Sequence, residues 1–315
     1  MEEKEALIPR ALRERRLHSI MGFWLVIFLM QHLLVNSQAA YFFGDDGKGF
    51  VHAVNSIREL PYLPVIEILV LALPILVHGT WGIRYLLKAK YNSGNDTSGT
   101  VPNLSEYPKN HAYTWQRITS YLLILGILAH VVHMRFLKYP EEAKVDAKNY
   151  YMVQLQADEG LYTLSERLDV NLLNKKAVQE EKKALQVPII ADEKIEELIE
   201  KQTAKEKENF LKSLEKYPLK EGEVIAVSKD FGTAELLMVR EVFKSPLMML
   251  LYTLFVLAAC FHGFNGLWTF LISWGITVTE KSRNIFLKIS YGLMLLFSFL
   301  GLSAIYATYW INLRH

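Results

Sequence analysis

Four histidines stand inside four separate apolar segments of this chain: His32, His78, His130 and His262. A bilayer interior penalises an ionisable side chain, so one retained there is by default a functional group. Imidazoles in pairs suit one chemistry in particular. A six-coordinate haem iron takes one imidazole from each side of the macrocycle. Four histidines on four spans therefore suggest two axial pairs. The plainer alternative is four imidazoles that hydrogen-bond neighbouring helices. Sorting the four by depth separates these readings.

The elements that must position them are read from hydropathy. Of the 315 residues, 51% are hydrophobic, and the mean hydropathy is +0.13. That average hides two regimes: 19–137 and 246–312 contain long apolar runs, whereas 138–245 is dense in Lys and Glu. A hydrocarbon core ~30 Å thick takes about 20 helical residues to cross. Five segments reach that length: 19–42, 62–87, 114–137, 247–276 and 285–311. The first lacks a small-residue cleavage site after a short apolar core and reads as a retained helix, not a signal peptide. The chain thus divides into a tail (1–18), spans one to three (19–137), an inserted polar segment (138–245) and spans four and five (246–315).

The lone Cys260 excludes an intrachain disulfide, and an iron–sulfur cluster held by this chain alone. Within 138–245, Asp192–Tyr217 has a helical pattern. Gly222–Val242 reads as strand, its Val-Ile-Ala-Val and Glu-Leu-Leu-Met-Val pieces parted by a Lys-Asp-Phe-Gly turn. This block contains neither histidine nor cysteine and no catalytic spacing.

Lys and Arg in the short flanking segments set orientation. Lys4, Arg10, Arg13, Arg15 and Arg16 precede span one; Arg84, Lys88, Lys90, Lys109 and Arg117 lie between spans two and three; Lys281, Arg283 and Lys288 lie between four and five. The connection 43–61 offers only Lys48 and Arg58 against Asp45, Asp46 and Glu59. The N-terminus is therefore expected inside and the C-terminus outside, with 138–245 extracytoplasmic. A loop that long translocates largely regardless of its charge.

Depth then follows from the helical rise of ~1.5 Å per residue. His32 lies about 20 Å from the inner face, and His130 about 24 Å from it. His78 lies about 24 Å from the outer face and His262 about 22 Å. The four fall into an outer pair, His32 with His130, and an inner pair, His78 with His262. His133 is the one rival for the third ligand, nearer the surface than His130. Gly126 and Gly266 lie four residues from His130 and His262, on the ligand faces, where they leave room for a macrocycle; glycine is also common at helix interfaces in membranes. Pro74, four before His78, removes a backbone hydrogen bond and is expected to kink span two. His18, beside Arg15 and Arg16 at the inner boundary, is placed to meet a haem propionate or an attached subunit.

At these residues the chain resembles the cytochrome b subunit of succinate dehydrogenase, in its single-chain, five-helix, two-haem form. The matching pieces are Arg15-Arg16-Leu17-His18-Ser19, Gln31-His32-Leu33 with Asn36, and Leu73-Pro74 leading to His78. Gln116-Arg117-Ile118-Thr119 with His130 follows, then Phe261-His262, Asn265-Gly266-Leu267-Trp268 and Trp274-Gly275-Ile276-Thr277-Val278-Thr279. The resemblance does not cover 138–245, which departs from the short third connection of that family.

What the resemblance implies is an all-α membrane protein: a five-transmembrane-helix bundle with two stacked b-type haems. The inserted α+β segment is additional to it. The family's axial ligands fall on His32 and His130 for the outer haem and on His78 and His262 for the inner. The implied partners are a flavoprotein and an iron–sulfur subunit on the cytoplasmic face of a bacterial inner membrane, together with lipid and a quinone, menaquinone; no nucleic acid is implied. Electrons would pass from the iron–sulfur subunit through the two haems to the quinone. The chain alone would not oxidise succinate. Glu67, about five residues into span two from outside, is the best-placed proton donor for quinone reduction, with bonding to a neighbouring helix as its alternative. The same carriers run in reverse would make the chain the anchor of a quinol:fumarate reductase. A haem-free membrane scaffold with structural histidines is the reading from another class.

Overall fold

Helices of the membrane-spanning kind dominate because the apolar runs are long and a bilayer leaves no water to satisfy unpaired backbone groups. The computed structural model describes residues 9–88, 108–145, 148–185, 194–216 and 218–309. Five helices are long and apolar enough to cross a membrane: Arg10–Ser37, Leu63–Tyr85, Asn110–Leu137, Pro246–Ser273 and Glu280–Ala307. No more than 22% of the most apolar window of any of them is buried within the protein, which leaves broad apolar faces for lipid.

In chain order, α1 (Arg10–Ser37) leads through a 3-10 turn to α2 (Lys48–Arg58). α3 (Leu63–Glu67) continues through a π-helical turn, Ile68–Ala72, into α4 (Leu73–Lys88), and α5 (Pro108–Val131) runs on into a second π turn, Val132–Leu137. There follow β1 (Glu141–Val145), β2 (Lys148–Gln156), α6 (Glu159–Arg167), β3 (Asn171–Leu173), α7 (Lys175–Leu185) and α8 (Lys194–Glu215). Last come β4 (Glu223–Ser228), α9 (Phe231–Val242), α10 (Pro246–Ser273) and α11 (Glu280–Ala307). The first span ends at Ser37, short of the expected 42. The polar run Asn36-Ser37-Gln38 turns the chain there, with Ala39 N–H bonding the Asn36 carbonyl at 3.1 Å. α10 stops at Ser273 because Gly275 takes a left-handed φ of 72°, the conformation that closes a helix C-terminus. Thr279 then caps the start of α11, its hydroxyl accepting from Ser282 N–H at 3.1 Å.

The described chain forms two compact units. One takes in residues up to 34, 61–129 and 251–302. Its helices meet through aromatic and small-residue contacts: Phe23 stacks on Phe270 at 4.6 Å and Phe264 on Phe297 at 5.6 Å. Cys260 is buried, in keeping with a packing role. Pro74 has no N–H, so the Val70 carbonyl four residues earlier loses its helical donor. The π turn accommodates the interruption, and the Trp24 indole donates to that carbonyl at 2.8 Å.

The other unit takes in 35–60, 130–250 and the residues from 303 onward, so the block 138–245 does not close on itself. Its antiparallel sheet has strand order β1-β2-β4-β3, with Met152 opposite Val227 and Leu172 opposite Ala226. On one face Met152, Ile225 and Val227 pack with Phe210 and Leu214 of α8 and Val178 of α7. On the other face Tyr151 meets Phe231 of α9, ring centroids 5.5 Å apart. α9 corrects the strand expected at Glu-Leu-Leu-Met-Val. Asp230 is a helix N-cap, accepting from Thr233 N–H at 2.8 Å, and not part of a hairpin turn. Ten of the twelve residues of this helix are buried, so its sequence is largely apolar and carries little helical period. The connection 43–61 supplies α2, which packs on α9. There a Cβ at Gly232 would lie 2.5 Å from the Val51 carbonyl oxygen. Asn55 of α2 accepts from Gly232 N–H at 2.7 Å and donates to Asp230 at 3.0 Å.

Glu235, one turn after Phe231, is pushed up to about 7 by burial, with Arg135 and Arg58 partly offsetting it. An acid raised in the folded state from 4.5 to about 7 binds more protons than the unfolded chain between those limits. The contribution of Glu235 to stability should fall from pH ~4.5 to ~7 by up to about 3 kcal/mol and level off above. In Glu235→Gln that decline should be absent from melting temperatures measured across this range; an unchanged slope would show the acid is not its source.

Candidate functional site

Three of the four singled-out histidines lie in the first unit, and two of these are brought together. His78 of α4 and His262 of α10 have ring centroids 6.2 Å apart with planes at 87°. One metal ion bonded to both, at about 2 Å from each nitrogen, can span that spacing.

Which nitrogen each ring presents is settled by its neighbours. His78 Nδ1 lies 3.0 Å from the His18 carbonyl oxygen. A carbonyl can only accept, so Nδ1 carries the proton and Nε2 keeps its lone pair. His262 Nδ1 lies 3.3 Å from the Thr119 hydroxyl. The nearest acceptors for that hydroxyl's single hydrogen are the Trp115 carbonyl at 2.8 Å and the Gln116 carbonyl at 3.2 Å, an arrangement that leaves its oxygen to accept from His262. Both imidazoles are thereby held in the tautomer with Nε2 free to bind a metal. A hydrogen-bonded Nδ1 is the usual outer support of a metal-bound histidine.

The surrounding residues hold this arrangement in place. His18 of α1 stacks on His78, centroids 4.0 Å apart and planes 11° from parallel, and its Nδ1 donates to the His78 carbonyl at 3.1 Å. Gly22, one turn on, makes room: a Cβ there would lie 2.7 Å from His78 Cε1. On α5, Gln116 donates to the His262 carbonyl at 3.1 Å and accepts from Asn265 at 2.7 Å. Trp274 closes the same end, its indole donating to Ser19 at 3.2 Å while Arg16 lies 4.3 Å over its ring.

His32 is half-buried on α1, beside Phe28 at 5.5 Å between centroids. His130 falls in the second unit, near the end of α5, and His133 sits in the π turn that follows. Glu67 ends α3 and leads into the first π turn, half-buried. Gly22, Thr119 and the Gln116–Asn265 link were not expected as supports. Gly22 is four after His18, and Gln116 and Thr119 share a helix face three apart, but such spacing does not say which helix lies opposite.

Among the described residues no group of three or more His, Cys, Asp and Glu could hold a metal ion. A haem iron asks less, because the macrocycle supplies four nitrogens and leaves two axial positions for the protein. Two Nε2 atoms with committed Nδ1 protons, and a glycine beside one ring, fit that demand.

No protein-family model matches the chain, and no solved structure matches it. It is similar almost end to end to the succinate dehydrogenase cytochrome b558 subunit of Bacillus subtilis (strain 168). The two are 24% identical over 294 residues, 93% of this chain and 95% of that one. The resemblance drawn from the motifs is therefore borne out by a relative aligned along nearly its full length.

Replacing Gln116 by Leu would remove both interhelical bonds at once. Bonds of this kind in membranes contribute about 0.6 kcal/mol each on average, so a loss of about 1 kcal/mol is expected. It would be read as a thermal midpoint a few degrees lower in the purified protein; an unchanged midpoint would deny the link a stabilising part.

Proposed function

We propose that this chain is the membrane-anchoring cytochrome b subunit of a succinate dehydrogenase, with two haems b on bis-histidine ligands. The observation that carries the reading is the pair His78 and His262, each with Nδ1 committed to an acceptor and Nε2 left for metal. The similarity to the b558 subunit along 93% of the chain supports it. His32 and His130 form the second pair, supported by their common expected depth in spans one and three. A haem supplies one-electron exchange, and two at different depths give electrons a route across the bilayer.

The chain's own residues bind and orient. The inner pair lies toward the cytoplasmic face, where the Lys and Arg of the short connections place the N-terminus and the docking side. The partners there are the flavoprotein and iron–sulfur subunits, and succinate is oxidised on them. A membrane quinone, menaquinone, accepts the electrons toward the outer side, and Glu67 holds a proton for it. The setting is the cytoplasmic membrane of a bacterium, with the C-terminus outside. The segment 138–245 is extracytoplasmic in this orientation.

A reduced-minus-oxidised spectrum of the purified protein, with haem counted per chain, tests the reading. Two low-spin haems are expected; none, or one, would contradict the four-ligand assignment. His130→Ala should lose one haem while His133→Ala keeps both, and the reverse would move the outer ligand to His133. Reduction of the haems by succinate in the assembled complex tests the partner assignment; a complex whose haems answer only to quinol would favour the fumarate reductase direction.

A further inference from the structure

We propose that Gly22 and Thr119 are positioning residues: Gly22 admits His78 to the α1 backbone, and Thr119 sets the redox balance of the inner iron through His262. The inference rests on the haem reading above and deepens it.

The His18 carbonyl belongs to α1, whose regular bonding already directs the N–H of residue 22 at that oxygen. His78 adds a second donor to the same oxygen at 3.0 Å. Its ring must therefore lie against α1 beside residue 22. A Cβ there would stand 2.7 Å from Cε1 and 3.0 Å from Nδ1 of that ring. Only glycine lets the imidazole reach the carbonyl and keep its tautomer. His18 also stacks on this ring at 4.0 Å, which limits its room to move.

Thr119 acts on the opposite ligand by a different acceptor. Its hydrogen is directed at the Trp115 carbonyl at 2.8 Å, with the Gln116 carbonyl at 3.2 Å as a second target. What remains for His262 Nδ1–H is an oxygen lone pair 3.3 Å away. An acceptor on Nδ1 raises the basicity of the metal-binding nitrogen. A more basic ligand favours the more highly charged, oxidised iron. Losing the hydroxyl should then tip the inner iron toward its reduced form.

The test is a spectroscopic redox titration of the intact complex in membranes, preceded by a haem count on the parent. In Thr119→Val, two haems per chain should remain, and one component should show a reduced-to-oxidised ratio up to about tenfold higher at a given potential, ~59 mV upward for one electron. Thr119→Ser keeps the hydroxyl and should titrate as the parent. Gly22→Ala should lose one haem per chain and leave the other component at its parental potential. Thr119→Val titrating as the parent, or Thr119→Ser shifting as far as it does, would overturn the role given to Thr119. Gly22→Ala with both haems at parental potentials would overturn the role given to Gly22. A parent chain without haem would overturn the underlying reading, and the initial count separates that failure from the others.

Discussion

A ring nitrogen in a bilayer has no water to turn to, so every buried imidazole must find a protein or ligand partner for both of its nitrogens. That constraint organises the membrane unit of this protein. His78 and His262 each give the Nδ1 proton to a neighbouring helix, one to the His18 carbonyl and the other to the Thr119 hydroxyl. The remaining nitrogen on each ring then has an unused lone pair, and the two rings lie 6.2 Å apart. Helix packing around them follows the same requirement. Gly22 permits close approach on one side, and Gln116 ties α5 to α10 on the other. The carbonyl freed by Pro74, one turn before His78, is met by Trp24.

Much of this was legible in the sequence because hydropathy and depth are one-dimensional quantities. Five spans emerge from the apolar runs alone, and a constant rise per residue assigns His78 and His262 to one level. Helix ends were less legible. Nothing apolar stops at Ser37, yet three consecutive polar residues bend the chain there. The strand expected in 222–242 is half right: Glu223–Ser228 is a strand, but Asp230 caps a helix after it. A helix covered on all sides loses the polar face from which its period is normally read.

The supports of the site were hidden for another reason. Thr119 and Gly22 appear in the sequence as ordinary span residues. What marks them is which helix lies opposite, and spacing within one helix cannot report that. The composite second unit was hidden in the same way. Its sheet and α9 lie in 138–245, but Asn55 and Val51, which seat α9, come from the connection 43–61, nearly 180 positions earlier. A charge count that read this connection only as a guide to orientation missed its structural part.

The central claim is that His78 and His262 serve one and the same metal centre. Haem content and low-temperature spectra of His78→Ala, His262→Ala and the double variant, in the assembled membrane complex, test it most directly. All three should retain a single haem with the same spectrum, since removing either ligand or both empties the same site. Singles that retain spectrally different haems, or a double variant with no haem while each single keeps one, would contradict the pairing.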